Sequence, residues 1–338
     1  MKKVAIVGER RAELVEVPDL QPKENWALVK VHAAPMCTEY KAWLSGREHA
    51  FLGHEAAGEV VAVAQPGRVQ VGDRVVVQPL YSCGQCALCV GGDFIHCQQN
   101  PDMIQFLGSR EGSATYAQYL LKPDWLLSKI PDGVPYELAS LACCGLGPTF
   151  GALNLMEVDA FDTLLITGAG PVGLGGVVNA RFRGARVIVA ESVPYRVERA
   201  RLLGAEAVVD PGSEGVVQQV LDLTDGRGVD KAVDCAGIVA AQRLCIDATR
   251  RKGQVAFVGE CGDELGIRVS PDMIRKGLTL RGAWHYNLAL FPSVMQVIQQ
   301  SPVIGRLISH VLPMSEVQQA FELSASHQCA KIILKPWE

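Results

Sequence analysis

The 338-residue chain has no run approaching the roughly 18 consecutive apolar residues that a membrane span requires. It also has no Lys/Arg block, and 32 basic against 36 acidic residues leave a net charge of −4. Such a chain lacks the electrostatic footprint of a nucleic-acid or anionic-membrane binder. The N-terminal stretch MKKVAIVGERRAELVEV has only a short apolar segment before Glu9, Arg10 and Arg11, too little for a secretory leader. These absences predict a cytoplasmic protein with no nucleic-acid and no membrane partner. No internal repeat, low-complexity tract or obvious flexible linker interrupts it. What is present is a globular composition, 49% apolar and 20% charged. At roughly 150 residues per domain, the length predicts two domains.

The 11 cysteines are an odd number, and four of them (Cys83, Cys86, Cys89 and Cys97) follow the spacing C-x2-C-x2-C-x7-C. In a reducing compartment, thiols this close are more readily metal ligands than disulfides. Four thiolates at about 2.3 Å satisfy tetrahedral zinc completely, so such a site holds a loop together and does no chemistry. Gly84, Gly91 and Gly92 let the backbone curl around an ion. An iron–sulfur cluster is the competing reading, although here the fourth cysteine comes after seven residues and no proline follows it.

A second constellation is dispersed. Cys37 follows the alternating run 27–31, which predicts a strand. His54 and Glu55 precede an apolar strand at 60–64, and the pair Cys143-Cys144 comes much later. Each residue alone is a weak signal, because a buried Cys is usually a small hydrophobe and a lone His is seldom a ligand. Together they supply thiolate, imidazole, carboxylate and thiolate. Two sulfurs and one nitrogen leave the open fourth position of a catalytic zinc.

The segment 162–167 reads as a buried strand. It runs into Gly168-Ala169-Gly170-Pro171-Val172-Gly173, then a small-residue stretch fit for a close-packed helix, then a strand at 186–190 that ends at Glu191. The glycines Gly168, Gly170 and Gly173 permit a tight turn and close approach of a pyrophosphate, which would sit at the helix N-terminus with Pro171 and Val172. Glu191 is placed to accept ribose hydroxyls and would repel a 2′-phosphate, which favours NAD over NADP. Arg196 works the other way, since a nearby guanidinium could hold a phosphate or stack on adenine. Further strands at 207–210, 231–235, 255–259 and 278–282 alternate with helices at 193–203, 215–223 and 238–248. The alternation predicts an α/β fold, a doubly wound parallel sheet of about six strands. Short strands separated by Gly and Pro turns predict a mostly β domain before it.

In these features the chain resembles the zinc-dependent medium-chain dehydrogenases, the alcohol, sorbitol and threonine dehydrogenase superfamily. The resemblance rests on Gly53-His54-Glu55, the four-cysteine lobe, the turn Gly72-Asp73-Arg74-Val75 and the glycine motif at 168–173, in the family's order. It implies a GroES-like catalytic domain at 1–150 and 288–338 carrying the zinc lobe 83–97, a Rossmann domain at 151–287, and a homodimer or homotetramer. By position, Cys37 and His54 resemble catalytic zinc ligands. Glu55 resembles the acid that alternates between the metal and its outer shell, and Cys144, with Cys143 as rival, resembles the third ligand. Two zinc ions per chain are implied, one catalytic and one structural. The family usually reads Cys, any residue, Ser or Thr, then Asp, with the hydroxyl relaying the alcohol proton. Here the run is Cys37-Thr38-Glu39-Tyr40, so Glu39, or Thr38 after a one-residue deletion, is expected to contact the substrate hydroxyl. His285 or Tyr286 is expected to line the substrate cavity, and His49 is a further relay candidate.

The implied reaction is reversible oxidation of an alcohol, with zinc acidifying the hydroxyl and hydride passing to the nicotinamide. The polar edge at Thr38, Glu39 and Tyr40 points to a hydroxyl-rich secondary alcohol (a polyol, a sugar or an aminocyclitol), with threonine next and simple alcohols after it. The alternatives are a zinc-free quinone or enone reductase and a non-catalytic NAD-binding protein.

Overall fold

The computed structural model describes residues 1–338. The chain divides into two compact units. One comprises Met1–Gly145, Asn287–Gln300 and Ile308–Glu338, and the other Leu146–Tyr286 and Ser301–Leu307.

The second unit is an α/β domain built on a six-stranded parallel sheet. Its order is Ala207–Val209, Arg186–Ala190, Thr163–Thr167, Val229–Asp234, Thr249–Phe257, Thr279–Gly282. The chain enters at Thr163–Thr167 and winds outward in both directions, which puts the topological switch beside that strand. A parallel sheet covered on both faces needs continuous apolar strands, and every residue of Thr163–Thr167 is buried. Leu165, Ile188, Ala232, Leu244, Ile246 and Val255 belong to its core. Thr249–Phe257 starts earlier than the apolar run at 255–259, because its polar first residues extend the ladder to a Thr249–Val229 pairing that hydropathy does not mark.

The helix Pro171–Phe182 leaves the first strand through the glycine turn. A Cβ on Gly173 would lie 1.8 Å from the Gly168 carbonyl oxygen, so only glycine allows the turn and helix to meet this closely. Within the helix, buried Asn179 donates 2.9 Å hydrogen bonds to the Leu146 carbonyl and the Thr149 hydroxyl. That ties the helix to Gly147–Leu155.

The first unit is mostly β. A seven-stranded sheet runs Ile308–Pro313, Lys331–Lys335, Trp26–Pro35, Ala56–Val63, Arg74–Val77, Leu127–Lys129, with Tyr119–Pro123 also paired to Trp26–Pro35. Only the first pair is parallel. Val29, Val31, Val60, Val75, Leu120, Phe321 and Leu334 are among the buried core residues. The four-cysteine lobe has its own small core of Phe94, Ile95 and Leu126. Asn287 pins this lobe by donating to the Gly91 carbonyl at 2.7 Å and to Asp93 at 2.9 Å. No helix of the chain is long and apolar enough to cross a membrane.

Gly173→Ala is expected to lower stability by about 1–3 kcal/mol through this overpacking. The measurement is the urea unfolding midpoint, and an unchanged midpoint would show that the turn has slack.

Candidate metal and coenzyme sites

The four thiols of the lobe converge. Cys83 and Cys89 sulfurs are 3.9 Å apart, Cys86 and Cys89 3.5 Å, and Cys86 and Cys97 4.0 Å. Tetrahedral zinc with bonds of about 2.3 Å spaces its sulfurs about 3.8 Å apart, so the set fits that ion. Main-chain N–H groups face the sulfurs. Cys86 donates to Cys83 at 3.3 Å, and Cys83 and Gln99 donate to Cys97 at 3.3 and 3.4 Å. The Cys89 N–H is the main cause that pulls the Cys86 thiol down to about 6. Thiolates are the ligating form, so these donors prepare the site for a cation.

The dispersed set also converges. The ligand atoms of Cys37, His54, Glu55 and Cys144 all lie within 4.8 Å of one another. The sheet brings them together. Cys37 lies just past the end of Trp26–Pro35, and His54-Glu55 immediately precede Ala56–Val63. These strands are antiparallel, with Ala33 opposite Ala57, so the end of one meets the start of the other. His54 Nε2 is 3.3 Å from the Cys144 sulfur. Cys143 points elsewhere: it is buried and its thiol donates to the Val77 carbonyl at 3.3 Å. A mutual hydrogen bond holds the Cys37 thiol well below its ordinary range and the Cys144 thiol above it.

Both oxygens of Glu55 are engaged. Oε1 meets the Lys331 ammonium at 2.5 Å, and Oε2 accepts the Cys144 N–H at 3.0 Å. Glu55 and Lys331 are both fully buried. Burial pushes the Glu55 carboxyl up to about 7 against the opposing pull of Lys331. Sequence reasoning missed Lys331. The available signal was a lysine opening the otherwise apolar run 331–334, a residue type almost never buried unless paired.

Glu39 is turned inward. Oε1 is 2.9 Å from His54 Nδ1, and Oε2 accepts from the Tyr116 hydroxyl at 2.8 Å and the Cys37 N–H at 3.0 Å. Burial alone would raise its pKa, but the His54 hydrogen bond and charge outweigh it and bring the carboxyl to about 2. With Nδ1 so held, Nε2 is the ring atom left to face the thiols, the arrangement by which an outer carboxylate orients a histidine that could bind a metal. The side chain expected to meet a substrate hydroxyl is thus committed to the protein. Thr38 is exposed in the bend beside Cys37. Tyr40 opens the helix Tyr40–Ser45 and meets the His327 ring edge-on. His49 Nδ1 accepts the Phe51 N–H at 3.0 Å. His285 and Tyr286 are buried within the second unit, Tyr286 edge-on to Phe150.

In the glycine turn, Gly168 has φ +80°, and a Cβ there would strike Ala236 at 2.9 Å. Gly170 opens the helix with no side-chain cap and no atom within 4 Å of a would-be Cβ, which leaves its N-terminal N–H groups for an anionic ligand. Glu191 is buried at the end of its strand. Oε2 accepts the Ala169 N–H at 2.8 Å, and Oε1 accepts those of Ser192 and Val193 at 2.9 Å. A carboxylate has about four lone-pair positions, so one remains for a ribose hydroxyl rather than two. Arg196 is half-buried on the next helix, Pro194–Leu202. Sequence reasoning also missed buried Asp234, which accepts from Thr167 at 2.9 Å and Ala236 N–H at 3.0 Å and so sets the loop against Gly168.

Lys331→Met is expected to cost about 3–5 kcal/mol, because it strands a buried carboxylate. Adding Glu55→Gln should recover most of the loss. Urea unfolding of the single and double variants checks this, and equal losses in both would show that the pair does not act as a unit.

Comparison with known proteins supports one family. Residues 23–132 match the family model described as the alcohol dehydrogenase GroES-like domain, and residues 171–300 match the zinc-binding dehydrogenase model. The chain is 32% identical to an L-threonine 3-dehydrogenase of Pyrococcus furiosus, covering 98% of each chain. It is 30% identical to a sorbitol dehydrogenase of Bacillus subtilis, covering 97% of this chain and 94% of that one. Among solved structures it is similar to an alcohol dehydrogenase from Thermus sp. ATN1, at 26% identity, a TM-score of 0.87 and 99% coverage of both chains. The chain belongs to the zinc-dependent medium-chain dehydrogenases and is a zinc-dependent alcohol dehydrogenase of that family.

Proposed function

We propose that this enzyme reversibly oxidises a hydroxyl-rich secondary alcohol to the ketone, with hydride passing to NAD. The observation that carries the proposal is the set Cys37, His54 and Cys144 with Glu55 tied back to Lys331. Two thiols and an imidazole make the donor set known from alcohol dehydrogenases. A carboxylate held by an ammonium and an N–H leaves the fourth position to a substrate oxygen. When bound there, zinc supplies Lewis acidity, and the nicotinamide supplies the hydride acceptor.

The chain's own residues divide the remaining work. Cys37, His54 and Cys144 hold the ion, and Glu39 orients the imidazole. Thr38, with Glu39 committed, is the hydroxyl adjacent to Cys37 that can pass the alcohol proton outward. Gly168, Gly170, Pro171, Val172 and Gly173 cradle the pyrophosphate, Glu191 takes one ribose hydroxyl, and Arg196 lies beside the adenosine end. Cys83, Cys86, Cys89 and Cys97 hold a structural zinc. In this reading the first unit is the catalytic domain and the second the coenzyme domain.

The substrate class is supported by Thr38 and by the two relatives, named for a hydroxylated amino acid and a polyol. Threonine is the second reading. The edge strand Thr279–Gly282, with exposed Val269, Ile274 and Trp284 flanking it in sequence, supports a homo-oligomer. Thiol-rich metal sites support a reducing, cytoplasmic location.

NADH formation is expected with polyols, sugars, cyclitols or threonine above simple primary alcohols, and with NAD above NADP. A screen over those classes with both coenzymes checks this, and silence across it would overturn the proposed substrate class. Cys37→Ser and His54→Ala are expected to reduce turnover below detection while leaving the NADH dissociation constant within about twofold, since the coenzyme's binding groups lie elsewhere. Cys89→Ser should instead lower thermal stability. Metal analysis should give two zinc ions per chain in the wild type, and a single zinc would contradict the catalytic site.

A further inference from the structure

We infer that Tyr116 is a positioning residue for the metal-facing imidazole: its hydroxyl, through Glu39, fixes the ring of His54. This rests on the proposed role of His54 as a zinc ligand. The Glu39 carboxylate sits on a side chain with several rotatable bonds, at the start of a helix only six residues long. A hydrogen bond to such a group fixes a ring only if the group is itself fixed.

Oε2 provides that anchor. The Cys37 N–H ties it to the main chain of the first thiol, and the Tyr116 hydroxyl ties it to a separate segment. That segment is itself held. The N–H groups of Thr115 and Tyr116 both donate to the Leu52 carbonyl, and the Tyr116 carbonyl accepts the Val4 N–H at 2.9 Å. Tyr116 is fully buried, so its hydroxyl is satisfied by a protein partner, the Glu39 carboxylate.

A second, independent feature accommodates the ring. Gly53, next to His54, has φ +83°. A Cβ there would lie 2.2 Å from the Thr115 hydroxyl and 2.5 Å from Cδ1 of Tyr116. The glycine therefore lets the tyrosine lie directly against the segment that carries His54. If the ring were only filling space, phenylalanine would serve equally well.

The test compares the zinc-loaded wild type with Tyr116→Phe, Glu39→Gln and the double variant. The readouts are zinc affinity at each site by chelator competition and the visible spectrum after cobalt replaces the second-site zinc. Loss of an outer hydrogen-bond partner costs about 10- to 100-fold in metal affinity. Tyr116 acts one bond further out, so we expect about tenfold weaker binding at the second site. The cobalt band should be altered, and the four-thiolate zinc should be retained unchanged. In the Glu39→Gln background, Tyr116→Phe should add nothing.

Unchanged affinity and spectrum in Tyr116→Phe overturn the inference, as does an equal added loss in the Glu39→Gln background. If Tyr116→Phe does not fold, an unshifted cobalt band in Glu39→Gln overturns it. A wild-type chain holding only the four-thiolate zinc overturns the functional reading and this inference together. A two-zinc chain that tolerates Tyr116→Phe overturns this inference alone.

Discussion

The strand Trp26–Pro35 carries the first unit. It is hydrogen-bonded to Ala56–Val63, Tyr119–Pro123 and Lys331–Lys335. Each partner strand delivers a piece of the dispersed site at the same end. Ala56–Val63 brings His54 and Glu55, Lys331–Lys335 brings the ammonium that holds Glu55, and the segment before Tyr119–Pro123 brings Tyr116. A one-residue slip in any of these pairings would turn inward side chains outward. The geometry around Cys37 is therefore set by sheet register, and the apolar core that enforces the register also secures the donor set.

The site is a balance of buried charges. A divalent ion with two thiolates and Glu55 would carry a net negative charge, which Lys331 offsets. Glu39 lies further out, where the His54 Nδ1–H and two other donors hold it ionised. A low-dielectric interior penalises unpaired charge severely. The carboxylates are thus stable where they sit because each has a named partner. The lobe solves the same problem with main-chain N–H groups turned toward its sulfurs.

Much of this was legible in the sequence. The doubly wound sheet followed from apolar strand runs alternating with helical stretches, and the glycine turn from its spacing. The four-cysteine cluster was legible because its thiols are close in sequence. The dispersed set was legible as candidate residue types, and the choice of Cys144 over Cys143 came from family spacing. What could not be read was direction. Glu39 stands near the expected substrate edge, yet its carboxylate turns to His54, which no pattern of polarity encodes. Lys331 and Tyr116 escaped notice because their partners lie far away in sequence, 276 residues for Lys331 and Glu55 and 77 for Tyr116 and Glu39. Hydropathy records that a residue is polar but not what it faces.

The 276-residue separation of Lys331 from Glu55 bears on how the molecule assembles. Contacts between such distant parts form slowly, because the entropy of closing the long loop is lost before the contact repays it. The four-cysteine lobe, with ligands between positions 83 and 97, can close early and locally. The dispersed pocket stays electrostatically incomplete until the strand Lys331–Lys335 docks. The dispersed pocket is thus completed only by a contact that spans most of the chain, whereas the four thiols of the lobe lie within one short segment.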